Sequence, residues 1–145
     1  MKVGVVVVTH HGLGREFVNS LQQIVPSPPD FRTVAIDPDQ SVDEMRNAIA
    51  RELQAAEQGM GVLVLTDMFG GTPSNISLSF MKEHRVEVVT GVNLPMLVRL
   101  STADRNLGVG ELGKQLQVTT RRCVCLREEM VPAAVDTETG EGFGG

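Results

Sequence analysis

Two adjacent histidines, His10 and His11, close the apolar run Val5-Val6-Val7-Val8-Thr9, and Gly12 follows them. A β-branched run of this kind suits a strand buried on both faces. The glycine marks a turn, so the imidazoles fall where the strand gives way to a loop. A second apolar run, Gly61 to Thr66, ends in Asp67-Met68-Phe69-Gly70-Gly71-Thr72-Pro73. A carboxylate that accepts a hydrogen bond from Nδ1–H of a histidine fixes the tautomer and leaves Nε2 with a free lone pair, able to act as nucleophile or base. Thr72 before Pro73 reads as an N-cap and first-turn pair, and the free N–H groups of such a helix start favour an anion. Gly70 and Gly71 let the backbone come close to it. A nucleophilic histidine, a carboxylate and an anion cradle together point to phosphoryl transfer.

Each of these residues also has a plainer reading. A histidine at a strand end is often a hydrogen-bonded structural residue, and Asp67 can serve as a turn former. Phe69 is one of five phenylalanines in a chain without tyrosine or tryptophan. It fits either the core or a loop position from which it covers the site or meets a partner. His84, between Glu83 and Arg85, reads as a solvated turn residue.

The elements that must position these groups follow from the pattern. Residues 3–8 form the first strand. Phe17, Leu21 and Ile24 mark a helix from Gly14 that ends at Pro26-Ser27-Pro28-Pro29. Residues 33–36 give a second strand, closed by Asp37-Pro38-Asp39. Ser41-Val42-Asp43-Glu44 has the form of a capping box. Val42, Met45, Ile49, Leu53 and Ala56 continue it as one helical face, with Gly59 as the stop. Residues 61–66 are the third strand and 86–90 the fourth. A helix with Ile76 and Phe80 on its buried side lies between them. Gly91-Val92-Asn93 leaves the fourth strand for a short helix, and Val109, Leu112 and Leu116 mark another. Arg121 to Arg127 alternates as a last, antiparallel edge strand. The regular alternation predicts an α/β fold, a doubly wound and mostly parallel sheet with helices on both faces. In such a sheet the carboxyl ends of the strands share one edge, where ligands collect.

Composition narrows the classes. The chain has 145 residues, 41% of them hydrophobic, and a formal net charge of −5. That suits one globular domain and argues against a broad nucleic-acid footprint. No apolar run approaches the roughly 18 residues a membrane span requires. No signal-peptide pattern is visible, so the cytoplasm is the expected compartment and no direct membrane insertion is expected. Cys123 and Cys125 form C-x-C without further ligands at a recognisable spacing, so they read as small strand residues and no metal site is expected. The G-x-x-x-x-G-K-[ST] and G-x-G-x-x-G patterns are absent, so no nucleotide cofactor is implied. We divide the chain into a domain over 1–130 and a polar, disordered tail over 131–145.

The strand ending Thr9-His10, the run Asp67-x-Phe69-Gly70-Gly71-Thr72-Pro73-x-Asn75, and Gly91-Val92-Asn93-x-Pro95-Met96 together resemble one family. It is the IIA component of the mannose family of the bacterial sugar phosphotransferase system, and the resemblance covers roughly residues 1–127. It implies a phosphotransferase with a phosphohistidine intermediate. Phospho-HPr would donate to His10, which would pass the phosphoryl group to a separate IIB partner in sugar uptake. It also implies that Asp67 orients His10. Thr9, Gly70, Gly71 and Thr72 would contact the phosphoryl group, and Phe69 and Asn93 would help dock partners. The family dimerises with a C-terminal edge strand exchanged between subunits, which residues 121–127 would supply. The family has glycine directly after the reactive histidine, where this chain has His11. Matching His10 keeps Leu13-Gly14 at its usual distance, so His10 is assigned as the reactive residue, and His11 is either a bystander or a second proton donor.

A competing class keeps the phosphohistidine but makes its state control a partner protein, with no sugar transport. A related IIA-like subunit that serves a dihydroxyacetone kinase would carry a Ser-His-Ser loop, unlike Thr9-His10-His11. A nucleotide-binding Rossmann-like enzyme lacks its fingerprint.

Overall fold

The computed structural model describes residues 2–82 and 85–130. Its centre is a four-stranded, all-parallel sheet in the order β2-β1-β3-β4. The strands are β1 (Lys2–His10), β2 (Arg32–Ile36), β3 (Gly59–Thr66) and β4 (Val86–Thr90). The helices are α1 (Leu13–Leu21), α2 (Val42–Ala56), α3 (Thr72–Leu78), α4 (Leu94–Thr102), α5 (Val109–Arg121) and the single turn α6 (Arg127–Met130).

The valines of β1 serve both layers of the core, as a two-sided strand must. Val3, Val5 and Val7 pack with Leu21 of α1, Leu97 and Leu100 of α4, and Leu112 and Leu116 of α5. Val6 and Val8 face the other way, with Ile49 and Leu53 of α2 and with Phe80. Full burial of such side chains contributes about 1.5–3 kcal/mol each. Gly4 lies on the second face, where any Cβ would fall 2.0 Å from the Ala56 carbonyl oxygen. The alternation therefore sets β1 at the middle of the sheet and lets α2 approach it closely.

The sheet order reverses direction at β1. The chain moves from β1 outward to β2, then crosses back over β1 to β3. Connections on opposite faces part at this point and leave a crevice at the carboxyl ends of β1 and β3.

Most predicted elements are present, with shifts at their ends. Ser41 caps α2, its hydroxyl accepting from Glu44 N–H at 3.1 Å. Val42, expected on the buried face, is instead exposed. Gly59 does not stop α2, which ends at Ala56; it opens β3 with φ +102°. Helix α1 stops at Leu21, short of Ile24, which is exposed. The chain has to turn there to bring the buried Phe31 back to the sheet.

Residues 121–127 do not form a strand. Arg121 completes α5, Arg122 is its C-cap, and Cys123 N–H donates to the Thr120 carbonyl at 3.0 Å. The Arg-Cys-Val-Cys-Leu alternation is strand-like, but a strand exists only when another strand accepts its hydrogen bonds. No such pairing is present among the described residues. Cys123 and Cys125 are accordingly exposed free thiols and not strand residues. The polar tail over 131–145 and His84 lie outside the described residues.

Candidate functional site at the carboxyl ends of β1 and β3

His10 is the last residue of β1, and Asp67 comes one residue beyond the last β1–β3 pair, Val8 with Thr66. This register brings the two together. Asp67 Oδ2 accepts the His10 backbone N–H at 2.9 Å and lies 2.8 Å from Nδ1 of the same residue. Its Oδ1 accepts Met68 N–H at 3.1 Å. The carboxylate is thus held by three donors, and the proton belongs on Nδ1 because Oδ2 can only accept. Burial raises the Asp67 pKa, but the His10 backbone N–H, the ring N–H and the imidazole charge outweigh it. The net pKa lies below the usual carboxylate value. Asp67 therefore stays ionised, and in the neutral ring with its proton on Nδ1 the lone pair lies on Nε2.

By strand alternation His10 falls on the α2–α3 face, the side of Val6 and Val8. There it meets the start of α3. A Cβ on Gly71 would lie 2.8 Å from Cε1 and 3.4 Å from Nε2 of His10, so only glycine fits against the ring edge. Gly71 is also the N-cap of α3, with φ −80° and ψ 166°. Thr72 is already helical, so the cap sits one residue earlier than the Thr-Pro pattern predicts, and Pro73 follows within the first turn. Gly70 turns the chain into this cap with φ +81°, a conformation open to glycine at no steric penalty.

Thr9 is fully buried, and this corrects its expected contact with a phosphoryl group. Alternation points it to the α1 face, opposite His10. Its hydroxyl accepts from Gly14 N–H at 2.8 Å and donates to the His11 carbonyl at 3.3 Å. It fixes the turn that carries His10. Asn93 has a structural task as well: its side chain caps α4 by accepting Met96 N–H at 2.9 Å. Phe69 is 80% exposed on the loop between Asp67 and Gly70, with Met68 exposed beside it.

Sequence reasoning missed the surroundings of His11. Its Nδ1 lies 2.8 Å from Oδ1 of Asp37, which comes one residue beyond the last β1–β2 pair, His10 with Ile36. The signal was present in Asp37 itself, a carboxylate directly after a strand, as Asp67 is after β3. Among the described residues no group of three or more His, Cys, Asp or Glu could hold a metal ion. Nor is any helix among them long and apolar enough to cross a membrane.

A family model described as PTS system fructose IIA component matches residues 4–117. The chain belongs to this family. The sorbose-specific EIIA component of Lacticaseibacillus casei is 24% identical over 136 residues, 92% of this chain and 98% of that protein. The fructose-specific EIIA component of Bacillus subtilis is 35% identical over 85 residues, 55% of this chain and 58% of that one. Among solved structures, the mannose/sorbose-specific IIA subunit from Enterococcus faecalis superposes with a TM-score of 0.78 at 27% identity. That superposition covers 87% of this chain and 95% of the other. As a IIA component, the protein is a phosphotransferase-class phosphocarrier of a sugar phosphotransferase system. Its α/β sheet is the one those relatives share, and its mannose-family membership agrees with the motifs around His10 and Asp67.

Proposed function

We propose that this IIA component accepts a phosphoryl group from phospho-HPr on Nε2 of His10 and passes it to a separate IIB protein in sugar uptake. The observation that carries the reading is the His10 Nδ1 to Asp67 Oδ2 distance of 2.8 Å, with the Cε1–Nε2 edge of the ring against the Gly71 cap. In this reading the donor's P–N bond breaks as Nε2 supplies the electron pair for the new one. The Nδ1 proton stays in place, hydrogen-bonded to Asp67, which offsets the charge gained by the ring. Gly70, Gly71 and Thr72 supply the backbone and hydroxyl groups that face the phosphoryl oxygens. The exposed Met68 and Phe69 give the partners an apolar surface beside the nucleophile. Such transfer places the protein in the cytoplasm with its carrier.

The test is incubation with phospho-HPr and mapping of acid-labile phosphate by mass spectrometry. Wild type gains one phosphoryl group on His10, and His10→Ala loses that label. A wild type that takes up none would overturn the reading. Discharge on addition of a IIB protein, with phosphate appearing on IIB, tests the second half.

We also propose a homodimer in which residues 121–127 of one copy pair with the β4 edge of the other. A groove of about 670 Å³ runs between β4 and α5, lined by Glu87 to Gly91 and by Lys114 and Gln117. Arg121 and Val124 of the same copy line one end of it, and the exposed Val124 and Leu126 belong to the segment that would cross to the partner copy's groove. Sedimentation of the full chain should give the dimer mass, and Val124→Asp with Leu126→Asp should give the monomer. A wild-type monomer at micromolar concentration would exclude the exchange.

A further inference from the structure

We propose that His11 and Asp37 form a second phosphoryl-accepting pair beside the first. The inference rests on the proposed transfer to His10, because it uses the same phosphohistidine donor.

Three observations carry it. The first is geometric identity: Nδ1 of His11 lies 2.8 Å from a carboxylate oxygen of Asp37, as Nδ1 of His10 lies 2.8 Å from Asp67. Each bond puts the proton on Nδ1 and leaves Nε2 with its lone pair. The second is exposure. The His11 side chain is 91% accessible, against 48% for His10, so a docked donor meets no barrier to reaching it. The third is backbone strain. His11 has φ +50°, the only positive φ among described non-glycine residues, although Gly12 stands next to it at φ −80°. The chain therefore holds an imidazole at the one position of the turn that disfavours a side chain. Non-glycine residues kept in this region cluster at functional sites. The strain is held by His11 N–H donating to the Ile36 carbonyl at 2.9 Å, by Thr9 Oγ1 on the His11 carbonyl, and by Asp37 on the ring.

The two rings diverge. His10 leans on the carboxylate that follows β3, and His11 on the one that follows β2. With its Nδ1 held by a carboxylate of its own, His11 serves in this proposal as a separate acceptor. In the step, the P–N bond to the donor's imidazole breaks, and the electron pair of that bond returns to the donor ring. Nε2 of His11 forms the new P–N bond, and the Nδ1 proton remains on Asp37's hydrogen bond. The His10 ring edge lies against the Gly71 cap of α3, whereas the His11 ring is 91% accessible, although Gly12, the N-cap of α1, follows it in the chain. Loss of one such preorganised donor set slows a transfer by about 10²–10³-fold, so the second site is the slower one.

The experiment compares phospho-HPr labelling of the wild-type chain, His10→Ala, the His10→Ala/His11→Ala double variant and His10→Ala/Asp37→Asn. His10→Gln repeats the first variant with a side chain closer to the original volume. We expect His10→Ala and His10→Gln to gain one acid-labile phosphoryl group on His11, about 10²–10³-fold more slowly than wild type labels His10. The double histidine variant should gain none, and Asp37→Asn should slow His11 labelling about tenfold further. A labelled wild type with unlabelled His10→Ala and His10→Gln overturns the second site and leaves the His10 reading standing. A wild type that stays unlabelled overturns the His10 reading, and this inference with it. Label that persists in the double variant, or that ignores Asp37→Asn, overturns the pair.

Discussion

Asp67→Asn separates the two things the carboxylate does for His10. In the wild type, Oδ2 accepts two donors from His10, at 2.9 and 2.8 Å, while Oδ1 accepts Met68 N–H at 3.1 Å. An asparagine can offer an acceptor on only one side. With its oxygen toward His10, both bonds survive without charge, and the amide NH₂ opposes Met68 N–H. A hydrogen bond to a charged group contributes about 1.5–3 kcal/mol and a neutral one about 0.5–1.5, so the bond to the ring, the one that senses the charge gained in transfer, loses roughly 1–1.5 kcal/mol. At about 1.4 kcal/mol per decade, that is a roughly five- to twelvefold slower transfer. With the NH₂ toward His10, the ring must accept at Nδ1 and carry its proton on Nε2, which removes the nucleophile. Inversion of the tautomer in serine-protease triads slows catalysis about 10⁴-fold. Neither orientation satisfies every donor, so both are populated. We expect His10 phosphorylation by phospho-HPr to fall by roughly ten- to a thousandfold, measured by rapid quench. Long-range ¹H–¹⁵N correlation should show Nε2–H in the variant and Nδ1–H in the wild type. A rate within twofold of wild type would refute the orienting role. A slow variant that still carries its proton wholly on Nδ1 would refute the tautomer argument and leave charge as the cause.

Gly71→Ala places a methyl 2.8 Å from Cε1 of His10 and should slow phosphorylation more than tenfold. Its φ of −80° and ψ of 166° suit alanine, so the melting temperature should fall only by what a poorer N-cap and a displaced ring cost, about 1 kcal/mol, and loss of the fold would count against the argument. Gly4→Ala drives a Cβ to 2.0 Å from the Ala56 carbonyl and should destabilise the fold by about 3 kcal/mol, read as a lower urea midpoint with unchanged slope. The native pKa of Asp67 is depressed, so its contribution to stability is full above the unfolded carboxylate pKa of about 3.9 and is lost as pH falls through the lower native value. Urea titrations should therefore show the stability gap between wild type and Asp67→Asn narrowing as pH falls below about 5, and a gap independent of pH would contradict the assignment.

The strands and the parallel, doubly wound sheet were legible from local patterns, and the pairing of His10 with Asp67 followed from both residues ending strands of that sheet. A valine run buried on both faces fixes β1, and Ser41 before Glu44 fixes the start of α2. Thr9 was misread although the same alternation settles it, since adjacent strand residues cannot both face one site. The cap of α3 moved from Thr72 to Gly71 because capping depends on which residue remains extended, and residue types constrain that only loosely. The edge strand over 121–127 was not decidable from the chain, since its pairing partner is not local. Asp37 was passed over as a turn residue because its partner, His11, was read against His10 and not against β2.

One topological fact accounts for the whole arrangement. β1 lies between β2 and β3, and both neighbours end one register step before an aspartate. His10 ends β1 beside Asp67, and the turn at His11, with φ +50°, carries the next ring toward the β2 side and Asp37. The two pairs are not equivalent, because the chain leaves β2 and β3 differently. After β3, Gly70 and Gly71 turn straight into α3 against the His10 ring. After β2, the chain runs through the turn at Asp37 to Gln40, and Ser41 caps α2 only then. Its helix start is already satisfied by the Ser41 hydroxyl. A carboxylate behind the ring is thus common to both histidines, whereas a glycine cap in front of the ring belongs to His10 alone. The rate difference between them should therefore measure the cap, and Gly71→Ala should slow His10 without slowing His11.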